Sequence, residues 1–545
     1  MSELLQQRAE NPAGAVASAS ESRGRLGRNV LATILTRVVN MARGLCLIPF
    51  LLRHIGLEAY GIWTTIFILV SYVGLTTLGL SNVYIKYTAE FHARREYDRI
   101  NALLSTGLTI TLPLCSLLFA GFFFGWSWYA PLLRLPAAHA AEGKEAVLIV
   151  LGVFLSSIAL SAFGDVLTGL QQIAVTQHFL TLGIVVEFVL ILVLVSQGRG
   201  VRGLAEAYLA RTLINDGLTF WWAWRRLKWL QLSPRRMTRA SFGYIVHFGG
   251  VVQAQTMLDI FLDSIERVLG LSLIGGAAAG LMDVAKKWPS AFAAVPLAFF
   301  SAMLPAAAHI DASAAGEERQ QQLRRLYLDC ARYSNLCTAT FVAAIVLWAG
   351  PILRIWLGDG QMAVRQSLLP LFVLFCLATQ LHMLTGPGTS IFRGTGRVYQ
   401  EFTYSIPKLL LLAFFLPLAR LIAGAWTPLG IGAAVALATA GSAGVLMARA
   451  HQVLQLKISS FATSVLLPGL LPYASALLLA WPLFWLTEAS GRWTAAAMLM
   501  AGGALYLALL AALLDRWALT GDEKRQARAL LAQGLTLIRL KEKVA

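Results

Sequence analysis

The chain has 545 residues, of which 57% are apolar and only 13% charged, against roughly a quarter charged in soluble domains. That balance excludes a soluble enzyme or a soluble nucleic-acid-binding domain and indicates an all-α polytopic membrane protein, with room for about 14 spans of ~20 to 25 residues. The net charge of +17 therefore asks first which face of a membrane carries it.

Residues 1–28 are polar and end in Arg23, Arg25 and Arg28, with no apolar core that would make a cleavable signal peptide. Fourteen apolar segments follow, near 29–52, 61–85, 102–125, 146–168, 173–196, 203–224, 242–269, 277–308, 328–350, 367–386, 401–422, 429–447, 461–486 and 494–515. With the N-terminus inside, the cytoplasmic segments hold 28 Lys and Arg residues and the external loops 8. This asymmetry places both termini in the cytoplasm. The strongest inside markers are Arg225, Arg226, Lys228, Arg235, Arg236 and Arg239 in a central loop, and the basic tail beyond Lys524. Their expected role is topology and contact with anionic lipid.

The central loop divides the chain into a tail (1–28), a six-helix bundle (29–224), a basic linker (225–241), a second six-helix bundle (242–447), two further spans (448–516) and a basic tail (517–545). A repeat supports this division. LRHIGLEAYGIW, from Leu52, aligns without gaps onto LSLIGGAAAGLM, from Leu271, with identities at Leu52/Leu271, Ile55/Ile274, Gly56/Gly275, Ala59/Ala278 and Gly61/Gly280. Each copy joins the first two spans of its half, so the halves are parallel repeats. GLQQ (169–172) and GTGR (394–397) correspond in place; the latter reads as a tight turn, since no strand precedes it as a dinucleotide fingerprint requires. Cys46, Cys115, Cys330, Cys337 and Cys376 have no paired spacing and read as small buried hydrophobes. No cofactor or metal motif is expected.

Charges within the spans carry the functional signal, because an ionised group in a bilayer costs a few kcal/mol unless it meets water or a partner. Arg37 and Arg43 lie in span one; each either contacts an anionic substrate or closes an ion pair. Glu187 in span five has Arg211 and Asp216 in span six as partners, forming a structural triad or a proton relay. Asp259, Asp263 and Arg267 share one helical face. Asp263 and Arg267 can pair, and two acids one turn apart make Asp259 or Asp263 a candidate for a coupling proton or sodium ion. Span eight carries Asp283, Lys286 and Lys287, with Pro289, Pro296 and Pro305 making it the span expected to bend. Lys408 is expected to snorkel. His247 and His382 read as interhelical hydrogen bonders, and Trp221, Trp222 and Trp224 as an interfacial belt.

IGLEAYGIW after span one, YTAEFHARREYDRIN after span two, the basic central loop, DSIERVLGLSLIG with AGLMDVAKKW across spans seven and eight, and ILRIWLG at 352–358 together resemble the Wzx-type polysaccharide flippases of the multidrug/oligosaccharidyl-lipid/polysaccharide exporter superfamily. The resemblance covers residues 29–515. It implies two bundles around a central cavity, and a transporter, not an enzyme, that flips an undecaprenyl-diphosphate-linked oligosaccharide by alternating access. It also implies cavity cations, for which Arg37, Arg43, Arg211, Arg267, Lys286 and Lys287 are the candidates by position and charge. Partners would be the lipid-linked anionic oligosaccharide, the bilayer, and a polysaccharide polymerase and glycosyltransferases; nucleic acid is not expected. Two alternatives stand beside it. One is a cation-coupled multidrug exporter of the same superfamily, whose cavity should be acidic and aromatic. The other is a membrane glycan polymerase or transferase, which should have a long external loop with catalytic residues.

Overall fold

The computed structural model describes residues 12–73, 80–129, 140–246, 250–488, 492–518 and 524. Among these residues the regular structure is entirely helical, as expected for a backbone that must satisfy its own hydrogen bonds in hydrocarbon. The chain is an all-α polytopic membrane protein. In order, the long helices are α1 (Pro12–His54), α2 (Gly56–Val73), α3 (Leu80–Ala93), α4 (Tyr97–Phe124), α5 (Ala140–Gly169), α6 (Ile173–Ser196), α7 (Gly200–Arg226), α8 (Gly250–Leu273), α9 (Gly276–Ser313), α10 (Gly316–Leu347), α11 (Met362–Met383), α12 (Phe402–Ala423), α13 (Pro428–Leu454), α14 (Leu471–Glu488) and α15 (Arg492–Leu513). Short helices, among them Arg239–Tyr244, Ala349–Leu357 and Gly386–Gly394, join some of them.

Ten stretches of the described residues are long and apolar enough to cross a membrane. The other four predicted spans, near 61–85, 203–224, 242–269 and 277–308, fold as helix in α2 with α3, in α7, in α8 and in α9. Between them α7, α8 and α9 carry Arg211, Asp216, Asp259, Asp263, Glu266, Arg267, Asp283, Lys286 and Lys287. These charges lower their hydropathy and are the ones that matter below.

The chain forms two compact units, Met1–Val284 and Ala285–Ala545. In the first, α1 packs on α6, α6 on α7, α7 on α5, and α5 on α3 and α4, while α2 lies against α1, α5, α7 and α8. Its apolar core gathers Val83, Tyr84, Ile100, Leu103, Leu104, Val166 and Leu167, all fully buried. In the second, α13 packs on α12 and α11, and α10 on α11 and α14, around Tyr327, Phe392 and Leu446. The two units part inside α9, so α8 and the start of α9 belong with the first. The linker that separates the sequence repeats is thus distinct from the point at which packing divides.

Within the first unit, the two copies of the repeat pack against each other. Gly56 and Gly275 both take positive φ, +77° and +139°, which lets each chain turn directly from one helix into the next. Five residues on, Gly61 of α2 faces Gly280 of α9. A Cβ on Gly61 would sit 1.7 Å from the Gly276 carbonyl oxygen, and one on Gly280 would sit 2.6 Å from the Leu57 carbonyl oxygen. The contact is backbone on backbone, so no side chain can give way.

The GTGR turn is formed as expected, with Gly396 at φ +72° after the short helix Gly386–Gly394. α9 runs as one continuous helix through Pro289, Pro296 and Pro305. Lys408 departs from expectation: it is buried, its ammonium 5.6 Å from the centre of the Tyr404 ring, so the aromatic face holds it inside and it does not snorkel. The His382 ring also lies on Tyr404, at 5.1 Å. His247 and the tail beyond Lys524 lie outside the described residues.

Gly61→Ala is expected to lower the thermal midpoint of the detergent-solubilised protein by the equivalent of about 1–3 kcal/mol. Gly44→Ala, where a Cβ meets nothing within 4 Å, should stay within about 0.5 kcal/mol of wild type. Size-exclusion profiles after heating would compare them.

Candidate functional site

The site grows from one seam. Asn29, Thr36 and Arg43 stand seven residues apart on α1, a spacing that keeps them on one face of a helix. Each meets α6 or the turn before it. Asn29 donates to the Gln171 carbonyl at 3.0 Å and accepts from the Ala174 amide at 2.9 Å. Thr36 shares a 2.8 Å hydrogen bond with the Thr181 hydroxyl and donates to the Gln177 carbonyl. Arg43 then reaches Glu187. The polar groups run up a helix pair that is otherwise apolar, so each meets a partner on the other side.

Glu187 is nearly buried, its side chain 4% exposed, and it accepts from two arginines. Arg43 and Arg211 both donate to Oε2, the latter at 3.4 Å. Arg211 can approach because Gly183 sits one turn before Glu187: a Cβ there would lie 2.9 Å from the Arg211 carbonyl oxygen. One carboxylate thus serves two guanidinium groups, leaving one net positive charge at the cluster. Both arginines keep an open edge, with side chains 22% and 25% exposed, and Nε of Arg43 is a buried donor without a hydrogen-bond partner among the described residues.

A second buried pair lies close by. Asp283, at the start of α9, accepts from Arg267 Nη1 of α8 at 2.9 Å and from the Tyr60 hydroxyl of α2 at 2.6 Å. Tyr60 and Arg43 stand on α2 and α1, which pack against each other, so the two clusters lie along one polar tract in the first unit. Beyond Arg211 the tract continues through Tyr208 to Asp216, which accepts from Ser157 at 2.6 Å and from Asn215 at 2.7 Å.

The structure therefore brings together Arg43, Glu187, Arg211 and Arg267 among the expected residues, and adds Tyr60 and Asp283. Asp216 stands near the Glu187 cluster but is held by Ser157 and Asn215. Arg267 finds its closest acid in Asp283; Asp263, one turn away on α8, lies within its electrostatic reach together with Glu266. Asp259 and Asp263 are both exposed on α8. Arg37 is exposed on α1 among Ile34, Val38 and Met41 and makes no ion pair among the described residues. Lys286 and Lys287 are half-buried on the part of α9 that belongs to the second unit. That unit also holds an apolar cavity of about 500 Å³ lined by Trp288, Ile352, Ile355, Trp356, Leu499 and Met500. The seven-residue Asn, Thr, Arg spacing was a readable signal for the seam. Tyr60 offered none beyond its place in the repeat.

Charged tract and helical fold together define a polytopic carrier-like membrane protein with a polar interior. The chain belongs to the polysaccharide biosynthesis protein family, whose model matches residues 50–362. Among curated proteins it is similar to the uncharacterized membrane protein EpsK of Bacillus subtilis (strain 168), at 19% identity over 366 residues, spanning 65% of this chain and 72% of that one. Among solved structures its fold matches the lipid II flippase MurJ in an inward closed conformation, with a TM-score of 0.68, 12% identity and coverage of 90% of this chain and 99% of that one. It also matches an inward-facing multidrug resistance MATE family transporter of the MOP superfamily, with a TM-score of 0.60, 15% identity and coverage of 81% and 99%. The chain thus has the fold of the multidrug/oligosaccharidyl-lipid/polysaccharide exporter superfamily.

Removing Glu187 should be the most damaging single change in the tract, since it leaves two half-buried arginines uncompensated. Glu187→Ala is expected to cost about 3–5 kcal/mol. Tyr60→Phe, which removes one of two bonds to Asp283, should cost about 1–3 kcal/mol. Thermal unfolding in detergent would rank the two.

Proposed function

We propose that this chain flips an undecaprenyl-diphosphate-linked oligosaccharide from the inner to the outer leaflet of the cytoplasmic membrane, by alternating access and without chemistry on the substrate. The observation that carries the reading is the sharing of Glu187 between Arg43 and Arg211. A neutral pair would leave nothing for an anion, whereas two forks on one carboxylate leave donors and one positive charge. Guanidinium groups suit a diphosphate because each can donate two parallel hydrogen bonds to its oxygens. Membership of the polysaccharide biosynthesis family and a fold shared with a lipid II flippase support the same substrate class.

The energetics agree with export. With both termini in the cytoplasm, as the Lys and Arg distribution favours, two negative charges moving outward across ~100 mV gain about 4.6 kcal/mol. A prenyl tail stays in hydrocarbon throughout. A polymerase and glycosyltransferases would act before and after the step. Asp259 and Asp263, exposed and one turn apart on α8, are the candidate acids for a coupling proton or sodium ion, because two carboxylates so spaced repel and favour a shared cation. Those same acids favour, as a second reading, a cation-coupled multidrug exporter.

In cells lacking the chain, undecaprenyl-diphosphate-linked oligosaccharide is expected to accumulate on the inner leaflet. Wild type should relieve it, and Arg43→Ala, expressed to the same level, should fail. Absence of accumulation would discard the lipid-linked substrate and bring the drug-export reading forward. Asp259→Asn and Asp263→Asn should each lower ion-dependent transport, and unchanged ion dependence in both would remove them as the coupling site.

A further inference from the structure

The central basic linker, read from sequence as a topology marker, is strapped to a helix. α4 presents Asn101, Ser105 and Thr106 on one face, all buried. Asn101 donates to the Trp229 carbonyl at 2.8 Å and accepts from the Gln231 amide at 2.9 Å. Ser105 accepts from the Ser233 amide and Thr106 from the Thr238 amide, each at 3.2 Å. Trp229 also packs on Tyr97, with ring centres 5.1 Å apart. Side chains of one helix thus hold four backbone groups of the linker, so its path is defined by the fold.

This strap closes a cavity of about 470 Å³ between the linker and the start of α4. Phe91 and Tyr244 form an aromatic wall, Thr238 and Ser241 supply hydroxyls, and Arg99 and Arg236 stand at the rim with Asp98. Both arginines keep exposed edges: the Arg99 side chain is 58% exposed and that of Arg236 36%. Arg99 pairs with Glu96, whose side chain is 33% exposed, and Arg236 donates to Asp98 and to the Gln231 side-chain oxygen, so each arginine keeps only part of its fork free. Asp98, 3.1 Å from Arg236, has a side chain 96% exposed, and exposed pairs of this kind contribute little. The pocket lies on the lysine- and arginine-rich face, one helix end away from Trp221 and Trp224, which are exposed as interfacial residues are.

We propose that this pocket binds the phosphodiester headgroup of an anionic phospholipid. The two guanidinium forks take the phosphate oxygens, Thr238 and Ser241 meet the headgroup hydroxyls, and the aromatic wall receives the upper acyl carbons. A phospholipid fits better than a free anion because half of the lining is apolar and would stay wet around inorganic phosphate. The site is separate from the buried tract and does not depend on which substrate is carried.

The test is native mass spectrometry of the full-length, detergent-solubilised protein titrated with phosphatidylglycerol, with phosphatidylcholine and with inorganic phosphate. Wild type should retain one phosphatidylglycerol in preference to phosphatidylcholine, and inorganic phosphate should neither bind nor displace it. Arg99→Gln/Arg236→Gln should weaken retention by about tenfold or more, Arg99→Lys/Arg236→Lys should restore most of it, and Arg94→Gln, at an exposed pair with Glu90, should leave it unchanged. Equal retention of both lipids, unchanged retention in the double Gln variant, or displacement by inorganic phosphate would each overturn the proposal. A normal thermal midpoint for the double Gln variant would show that lost retention is not lost folding.

Discussion

A carboxylate buried in a membrane helix must be compensated, and in this protein that single requirement organises the first unit. Glu187 sits midway along an otherwise apolar helix, where an ionised acid costs several kcal/mol unless it is paired and hydrogen-bonded. Two arginines compensate it, one from α1 and one from α7, and both helices must pack on α6 for that to happen. The heptad of Asn29, Thr36 and Arg43 aligns α1, and Gly183 lets α7 come close. The packing of three helices thus follows from where one charge lies.

The same logic recurs at Asp283, with a different purpose. There the carboxylate joins three elements: α2 through Tyr60, α8 through Arg267 and α9 through itself. The glycine crossing of Gly61 with Gly280 brings α2 and α9 to backbone contact, which is what allows Tyr60 to reach. Glycines at equivalent places in the two repeat copies therefore serve one contact. This ties the start of α9 to the first unit although the rest of that helix belongs to the second. The two acids differ in stoichiometry as well. Asp283 is met by an arginine and a tyrosine hydroxyl, whereas Glu187 is met by two arginines, so positive charge is left over at Glu187.

Basic residues on the protein divide accordingly into three kinds of work. Those in the tract neutralise buried acids and keep donors free. Those at helix ends stack on aromatic rings, as Arg225 does on Trp221 and Arg226 on Trp222, and mark the membrane boundary. Those in the central linker frame a pocket, because Asn101, Ser105 and Thr106 tie the linker down. A net charge of +17 thus comes from several local requirements.

Sequence alone determined the class of the fold, the helical spans and the identity of the costly charges, because hydropathy and the rarity of ions in hydrocarbon are properties of composition and order. Five-in-twelve identity between two short segments also exposed the internal repeat. Who pairs with whom was decided by tertiary structure. Arg43 is 144 residues from Glu187 and Tyr60 is 223 from Asp283, so neither contact has a helical period to announce it. Local spacing suggested Asp263 for Arg267, since i to i+4 neighbours share a face. Packing instead turned Arg267 toward Asp283 on the next helix, where burial makes the bond stronger than one at the exposed Asp263. Lys408 shows the same override: its position near a span end suggested an outward reach, and the Tyr404 ring on its own helix, in a packed environment, holds it in. Periodicity reports the neighbours along a helix. Which face is buried, and against which charge, follows only when the helices are brought together.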